Sequence, residues 1–312
     1  MSVLLRAAAG RPEISFPLLG GTPRDVPDSV SLFGFPIYFY GLFIALGYML
    51  AALYVSRRRR GFGLTNENVL DILILVVAAG IVGARLYYVA FAWKDYFAGA
   101  GFAEIFNIRG GGLAIYGGLI GGFAALVIYA KVKKLSLPRT LDALGIAVPI
   151  GQAVGRWGNF VNREAFGGET TLPWRMGLHY ASGAAQYVHP AFLYESLWNA
   201  AGALLLHIYS KRRKKRVDGV IFLMYAAWYG LGRFMIEGLR TDSLYLGSVR
   251  ISQLVAAACF LGGSAAVLAL LYGKRGKSSE VSAIPEERSG GENDISTVPD
   301  EPGEPEQSEE SE

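Results

Sequence analysis

The stretch TLDALGIAVPIGQAVGRW, residues 140–157, decides how many times this chain crosses a membrane. A bilayer span needs about 20 mostly apolar residues. Six runs near 37–55, 69–92, 112–130, 190–210, 219–239 and 251–273 qualify readily, whereas 140–157 is short and interrupted by Pro149. The basic clusters settle its status. RRRR (57–60) follows the first run, KVKK (131–134) the third, KRRKKR (211–216) the fifth and KRGK (274–277) the last. If 140–157 spans, every second connection is strongly basic and all four clusters share the cytoplasmic face, as the positive-inside rule requires. If it does not, KVKK and KRRKKR fall on opposite faces. The expected fold is therefore all-α and polytopic, with about seven transmembrane helices. The N-terminus is outside, the C-terminus is cytoplasmic, and a small external cap is expected in the long connection between the fourth and fifth helices.

Composition agrees. The 312 residues are 52% hydrophobic with 40 Gly, and the mean hydropathy is +0.31, more apolar than a soluble chain of this length. The net charge of +4 hides two populations. Residues 279–312 hold 12 acidic residues and one basic, leaving 29 basic against 14 acidic elsewhere, a net +15. That Glu-, Ser- and Pro-rich end cannot bury a core. The expected layout is an external segment at 1–36, a transmembrane domain at 37–273 and a disordered acidic cytoplasmic tail at 274–312. The one cysteine, Cys259, permits no intrachain disulfide.

Charged groups inside a span are costly and tend to be functional. With this topology they gather in the outer half of the membrane. Arg85 is late in the second span, Arg156 ends the fourth, and Arg233 and Glu237 are late in the sixth. Tyr40 opens the first span, Tyr116 lies early in the third, and His189, Tyr194 and Glu195 open the fifth. Arginines that outnumber their acids imply a bound anion, and the guanidinium fork suits phosphate. A lipid-facing pocket with such arginines points to an anionic phospholipid. Two other readings stay open on these residues: arginines that snorkel or pair with Glu164 and Glu237, and anion transport. No G-x-S-x-G stretch, His/Cys metal cluster or phosphate loop is present, so no metal or cofactor is expected. An attacking group would come from a second substrate. The bilayer, not nucleic acid, is the expected partner of the chain.

Six motifs, taken in order, resemble one family. They are YGL (40–42), GARLYYV (83–89), GGLAIYGGLIGG (111–122), GRWGNFVNREAFG (155–167), HPAFLYE (189–195) and YGLGRFMIEGLR (229–240). Together they are similar to the prolipoprotein diacylglyceryl transferases of bacterial inner membranes, over about residues 36–273. The resemblance implies transfer of the diacylglyceryl group of phosphatidylglycerol to the lipobox cysteine thiol of a preprolipoprotein. A thioether forms and glycerol-1-phosphate leaves. By the same resemblance, Arg156 and Arg233 face the phosphate. Asn159, Asn162 and Glu164 shape and bond the head-group site, and Tyr40, Arg85, Glu237 and Arg240 match other functional positions. Two residues depart from the family pattern. Tyr116 stands where many members have His, and is expected to orient the lipid through its hydroxyl. Arg163 stands where the usual N-G-E triplet has Gly.

Overall fold

The computed structural model describes residues 11–280, apart from 100, 109–110, 213–216, 242–244 and 247–248. The first ten residues and the acidic segment 281–312 of the expected tail lie outside the described residues. Among those described are seven helices of 18 residues or more. They are α1 (Phe39–Arg58), α2 (Asn66–Phe91), α3 (Ile115–Val132), α4 (Leu137–Asn162), α5 (Ala191–Arg212), α6 (Val220–Glu237) and α7 (Ile251–Glu280).

Four of these segments are long and apolar enough to cross a membrane: Phe39–Phe62, Asn66–Phe91, Ile115–Val132 and Ile251–Tyr272. The helices α4, α5 and α6 fall outside that set, and each carries a buried acidic residue. Asp142 on α4, Glu195 and Asn199 on α5 and Glu237 on α6 are all buried. These three helices pack on one another, α4 against α5 and α6, and α5 against α6. Charges within a bundle belong on such inward faces. Apolarity all round is demanded only of helices that face lipid.

Local chemistry sets the helix ends and the close approaches. Thr65 caps α2 by accepting from the Asn68 amide, while the Asn68 side chain returns to the Thr65 amide, a reciprocal capping box. The helix α6 starts after Gly219 with no side-chain cap of its own. Asp142 of α4 serves instead, accepting from the amides of Gly219 at 2.8 Å and Phe222 at 3.0 Å. Where α2 meets α3, a Cβ on Gly83 would lie 2.4 Å from the Gly117 carbonyl oxygen, and one on Gly121 2.4 Å from that of Ala79. Those glycines let the backbones touch.

The fold is not purely helical. Strands β1 (Glu13–Ser15), β4 (Met176–His179) and β5 (Ala185–Val188) form an antiparallel sheet in the order β1-β4-β5. A hairpin of β2 (Ser29–Leu32) and β3 (Phe35–Tyr38) leads directly into α1. Its two turn residues, Phe33 and Gly34, both have positive φ, the geometry that matches the twist of a two-residue hairpin. The segment between α4 and α5 thus recruits a strand from the N-terminal segment. A separate core forms there from Ile14, Met176, Leu178, Val188 and Phe192, with Phe160 of α4 packed against it. The pairing spans some 160 residues, and no local pattern in three-residue strands foretells it.

Candidate functional site

The site is built on the ends of α4 and α6 and the start of α5. The helix α4 stops because Arg163 adopts a left-handed conformation, φ 52° and ψ 47°. The Arg163 amide donates to Phe160 O at 3.1 Å and the Glu164 amide to Asn159 O at 3.1 Å, the two bonds of a Schellman turn. The turn swings Glu164 back over the helix, where it accepts from Asn159 Nδ2 at 2.8 Å. Asn159 Oδ1 in turn accepts from Arg156 Nη1 at 3.3 Å.

The register of α5 on α6 is fixed by a reciprocal tryptophan pair. Trp198 Nε1 donates to Trp228 O and Trp228 Nε1 to Trp198 O, both at 3.0 Å, with the rings stacked at 4.3 Å. Each indole lies over a glycine of the other helix, Trp228 on Gly202 and Trp198 on Gly232. One turn away, this register sets Glu195 against Arg233. The exit of α6 is held by Gly168, whose amide donates to Leu239 O at 2.8 Å, and by the Gly167–Arg240 bridge. Gly167 also donates to His189 O at 2.9 Å, and a Cβ there would lie 2.7 Å from His189 Cβ. Three chain segments therefore meet where only glycine fits, and Arg240 is carried toward Glu195.

The result is a ring of charge around one buried carboxylate. Glu195 Oε2 lies 2.5 Å from Arg156 Nη2. Its Oε1 lies 3.5 Å from Arg233 Nη1 and 3.3 Å from Arg240 Nη1. Arg233 Nη2 also pairs with Glu237 Oε2 at 2.6 Å. That second contact is an ion pair without hydrogen-bond alignment, since Oε2 makes no directed bond. Glu195 and Glu237 are 5% and 1% exposed. Buried charges persist only when paired in this way.

Beside this ring, α1, α2 and α4 enclose a cavity of about 490 Å³. Most of its wall is apolar, from Ile44, Val55, Ile72, Val76, Leu144 and Ala147. At one end stand Tyr40, Arg156 and Asn159, with Gln152 about midway along the α4 wall. The Tyr40 ring rests on Gly158, where a Cβ would lie 2.7 Å from Tyr40 Cδ2. Tyr40 and Val55 are 15 residues apart, about 22 Å along the helix. One leaflet of hydrocarbon is about 15 Å deep. The cavity has the dimensions and polarity of an amphiphile: a long greasy wall with a cation and an amide at one end.

The structure joins Arg156, Asn159, Glu164, Arg233, Glu237 and Arg240 into one network and sets Tyr40 at the cavity end. It does not join the others. Arg85 donates instead to the carbonyls of Glu104, Ile105, Gly111 and Gly112 at 2.6–3.0 Å, clamping the loop between α2 and α3. Tyr116 is half exposed at the second residue of α3, and Asn162 is exposed at the last residue of α4. The extra positive charge at Arg163 is buried too: its guanidinium donates to Pro12 O, Val161 O, Val26 O and Asp25 Oδ1. Within the ring three arginines face two paired acids, Glu195 and Glu237, so the protein itself meets part of the positive charge. Sequence reasoning placed Glu195 among the converging polar residues but gave it no role. Its signal was an acid just past the first turn of α5, inside HPAFLYE.

Fold and site together define a helical membrane protein with an arginine–carboxylate ring at the polar end of an apolar cavity. A family model described as prolipoprotein diacylglyceryl transferase matches residues 27–269. The chain belongs to that family. It is 40% identical over 252 residues to a phosphatidylglycerol–prolipoprotein diacylglyceryl transferase of Clostridioides difficile (strain 630), covering 81% of this chain and 97% of that one. Transferases of the same name from Bacillus cytotoxicus (strain DSM 22905 / CIP 110041 / 391-98 / NVH 391-98) and Bacillus mycoides (strain KBAB4) are each 42% identical over 247 residues, 76% of this chain and 89% of theirs.

Proposed function

We propose that this protein transfers the diacylglyceryl group of phosphatidylglycerol to the lipobox cysteine thiol of a preprolipoprotein, the first step of lipoprotein maturation. The names of its relatives support the reaction. The observation that carries it to this chain is the cavity that ends on Arg156 and Asn159. Acyl chains fill the apolar wall, and the phosphate meets Arg156 with Arg233 behind it. In this reading all seven long helices span the bacterial inner membrane, with the N-terminus outside. The strand layer is an external cap, residues 37–273 form the catalytic domain, and the site opens to the outer leaflet.

The chemistry is displacement at a glyceryl carbon. The thiol sulfur forms the new C–S bond, the C–O bond to phosphate breaks, and the bonding pair leaves on the phosphate oxygen. The thiol proton passes to solvent, directly or by way of the leaving phosphate, whose second pKa is about 6. A free thiol has a pKa of about 8.5, so ionising it at neutral pH asks for roughly 1.5 units, or about 2 kcal/mol. A nearby guanidinium field supplies stabilisation of that sign. The same preorganised donors stabilise charge growing on the departing phosphate. Asn159 and Glu164 hold Arg156 from one side and Glu195 from the other. Tyr40 flanks the head group, Tyr116 and Asn162 reach it from the rim, and Arg85 fixes the loop ahead of α3.

The test uses purified protein in phosphatidylglycerol nanodiscs with a lipobox peptide. Glycerol phosphate release together with a diacylglyceryl mass gain on the peptide is expected. Lipid binding without either product, under conditions where a relative turns over, rejects the assignment and leaves a lipid-binding scaffold.

A further inference from the structure

One amide side chain interrupts the apolar part of the cavity wall. Gln152 lines the cavity one helical turn inward of Arg156 on α4, a rise of about 6 Å. Beyond it the α4 wall is Val148, Ala147 and Leu144, with Val55 and Ile72 from the facing helices. The Tyr48 hydroxyl, also in the wall, is already engaged, donating to Leu73 O at 2.5 Å. The two ends of the Gln152 amide are not equivalent. Its Oε1 accepts from the Tyr225 hydroxyl of α6 at 3.2 Å. Tyr225 is not part of the wall, so the amide reaches from α6 to the cavity. The same bond sets the orientation of the amide. A hydroxyl proton needs an acceptor, and Gln152 Oε1 is the one that Tyr225 has among the described residues. The nitrogen, Nε2, is the end left for the cavity. The neighbouring Gly151 holds the wall in place: a Cβ on Gly47 would lie 2.7 Å from Gly151 O, so α1 and α4 touch beside Gln152.

We infer that Gln152 is a specificity-determining contact: its Nε2 donates to an acyl ester carbonyl of the donor lipid, so the site selects diacylglyceryl over dialkylglyceryl lipids. The inference rests on the reaction proposed above. With the phosphate on Arg156, the glyceryl unit runs inward along α4. Its ester carbonyls hang a few bonds from the phosphate, within the reach of about one helical turn to Gln152. The guanidinium then holds the phosphate and the amide holds an ester. The reacting carbon lies between these two fixed points, which keeps it aligned for displacement of the phosphate oxygen. The acyl chains begin where the wall turns fully apolar. An ether-linked lipid has the same phosphate and the same chains but no carbonyl. Its binding leaves the amide without an acceptor in an apolar wall. Sites built around a hydrogen bond discriminate against ligands that lack the partner.

The test compares kcat/KM for glycerol phosphate release from diester and diether phosphatidylglycerol of equal chain length. Each is supplied at the same mole fraction in phosphatidylcholine nanodiscs with a lipobox peptide. Wild type should favour the diester by about tenfold. Gln152→Met keeps the bulk of the side chain and removes the amide. It should bring the two lipids within about threefold of each other, chiefly by losing rate on the diester. A role confined to holding Tyr225 predicts an equal loss on both lipids, so a diester preference that survives in folded Gln152→Met overturns the inference. Gln152→Leu carries the same test if the Met variant does not fold. Equal use of the two lipids by wild type also overturns it, while leaving the proposed reaction standing. Failure of wild type to release glycerol phosphate from the diester would instead count against that reaction.

Discussion

Arg156 offers the sharpest test of the site. Its two terminal nitrogens are used at once, Nη1 on Asn159 and Nη2 on Glu195, and the side chain remains 24% exposed toward the cavity. Arg156→Ala removes a preorganised donor to the transition-state phosphate, a loss of about 2.7–4 kcal/mol, or about 10²–10³ in rate. Folding should suffer much less. A carboxylate stranded without partners costs about 3–5 kcal/mol, but Glu195 retains Arg233 and Arg240. With that sharing and the partial exposure, the stability loss should be about 1–2 kcal/mol. Arg156→Lys keeps the charge, yet one ammonium cannot reach both Asn159 and Glu195 in the same geometry. Its rate should fall by about 10–100-fold, between wild type and Ala. The assay is kcat/KM for glycerol phosphate release, normalised to folded protein, with apparent melting recorded at one scan rate. Arg156→Ala with kcat/KM within threefold of wild type and unchanged melting would refute the phosphate assignment. So would a loss that merely tracks the unfolded fraction.

Three further outcomes follow from the fold. Asp142→Ala strands two backbone amides at the start of α6, and should lower stability by about 2–3 kcal/mol in chemical or thermal unfolding, with Asp142→Asn recovering part of it. Gly83→Ala should separate α2 from α3, because its Cβ would meet Gly117 O at 2.4 Å, at a cost of about 1–3 kcal/mol. Gly80→Ala, whose nearest contact would be 3.5 Å, should melt like wild type. Removing the Arg163 side chain should release the segment it holds between Pro12 and Val26, read as faster protease cutting there. Arg163→Gly should be more stable than Arg163→Ala by about 1 kcal/mol, because glycine is at ease in the left-handed turn. Equal stability of the two variants would show that the turn is not strained.

The sequence by itself determined the helical class, the apolar runs on which the long helices form, and the identity of the arginines in the ring. These are local properties. Hydrophobic length is read from consecutive residues, and an arginine in an apolar run stands out because burying its charge is costly. It also marked the fourth run as the weakest span, but for its shortness and Pro149 rather than for polar residues such as Asp142 that the structure turns inward. Partnership was not legible. Glu195 and Arg156 are 39 positions apart, and Arg85 and Arg156 look alike along the chain. Only the packing of α4, α5 and α6 sends one guanidinium to a buried carboxylate and the other to a ring of loop carbonyls. The β1-β4-β5 sheet was invisible for the same reason, since three residues near the N-terminus carry no record of the strand they will meet at Met176–His179. Which polar group answers which is decided where the glycines of α5 and α6 admit the tryptophan pair and Gly167 admits His189, because only there does the backbone come close enough to set the distances.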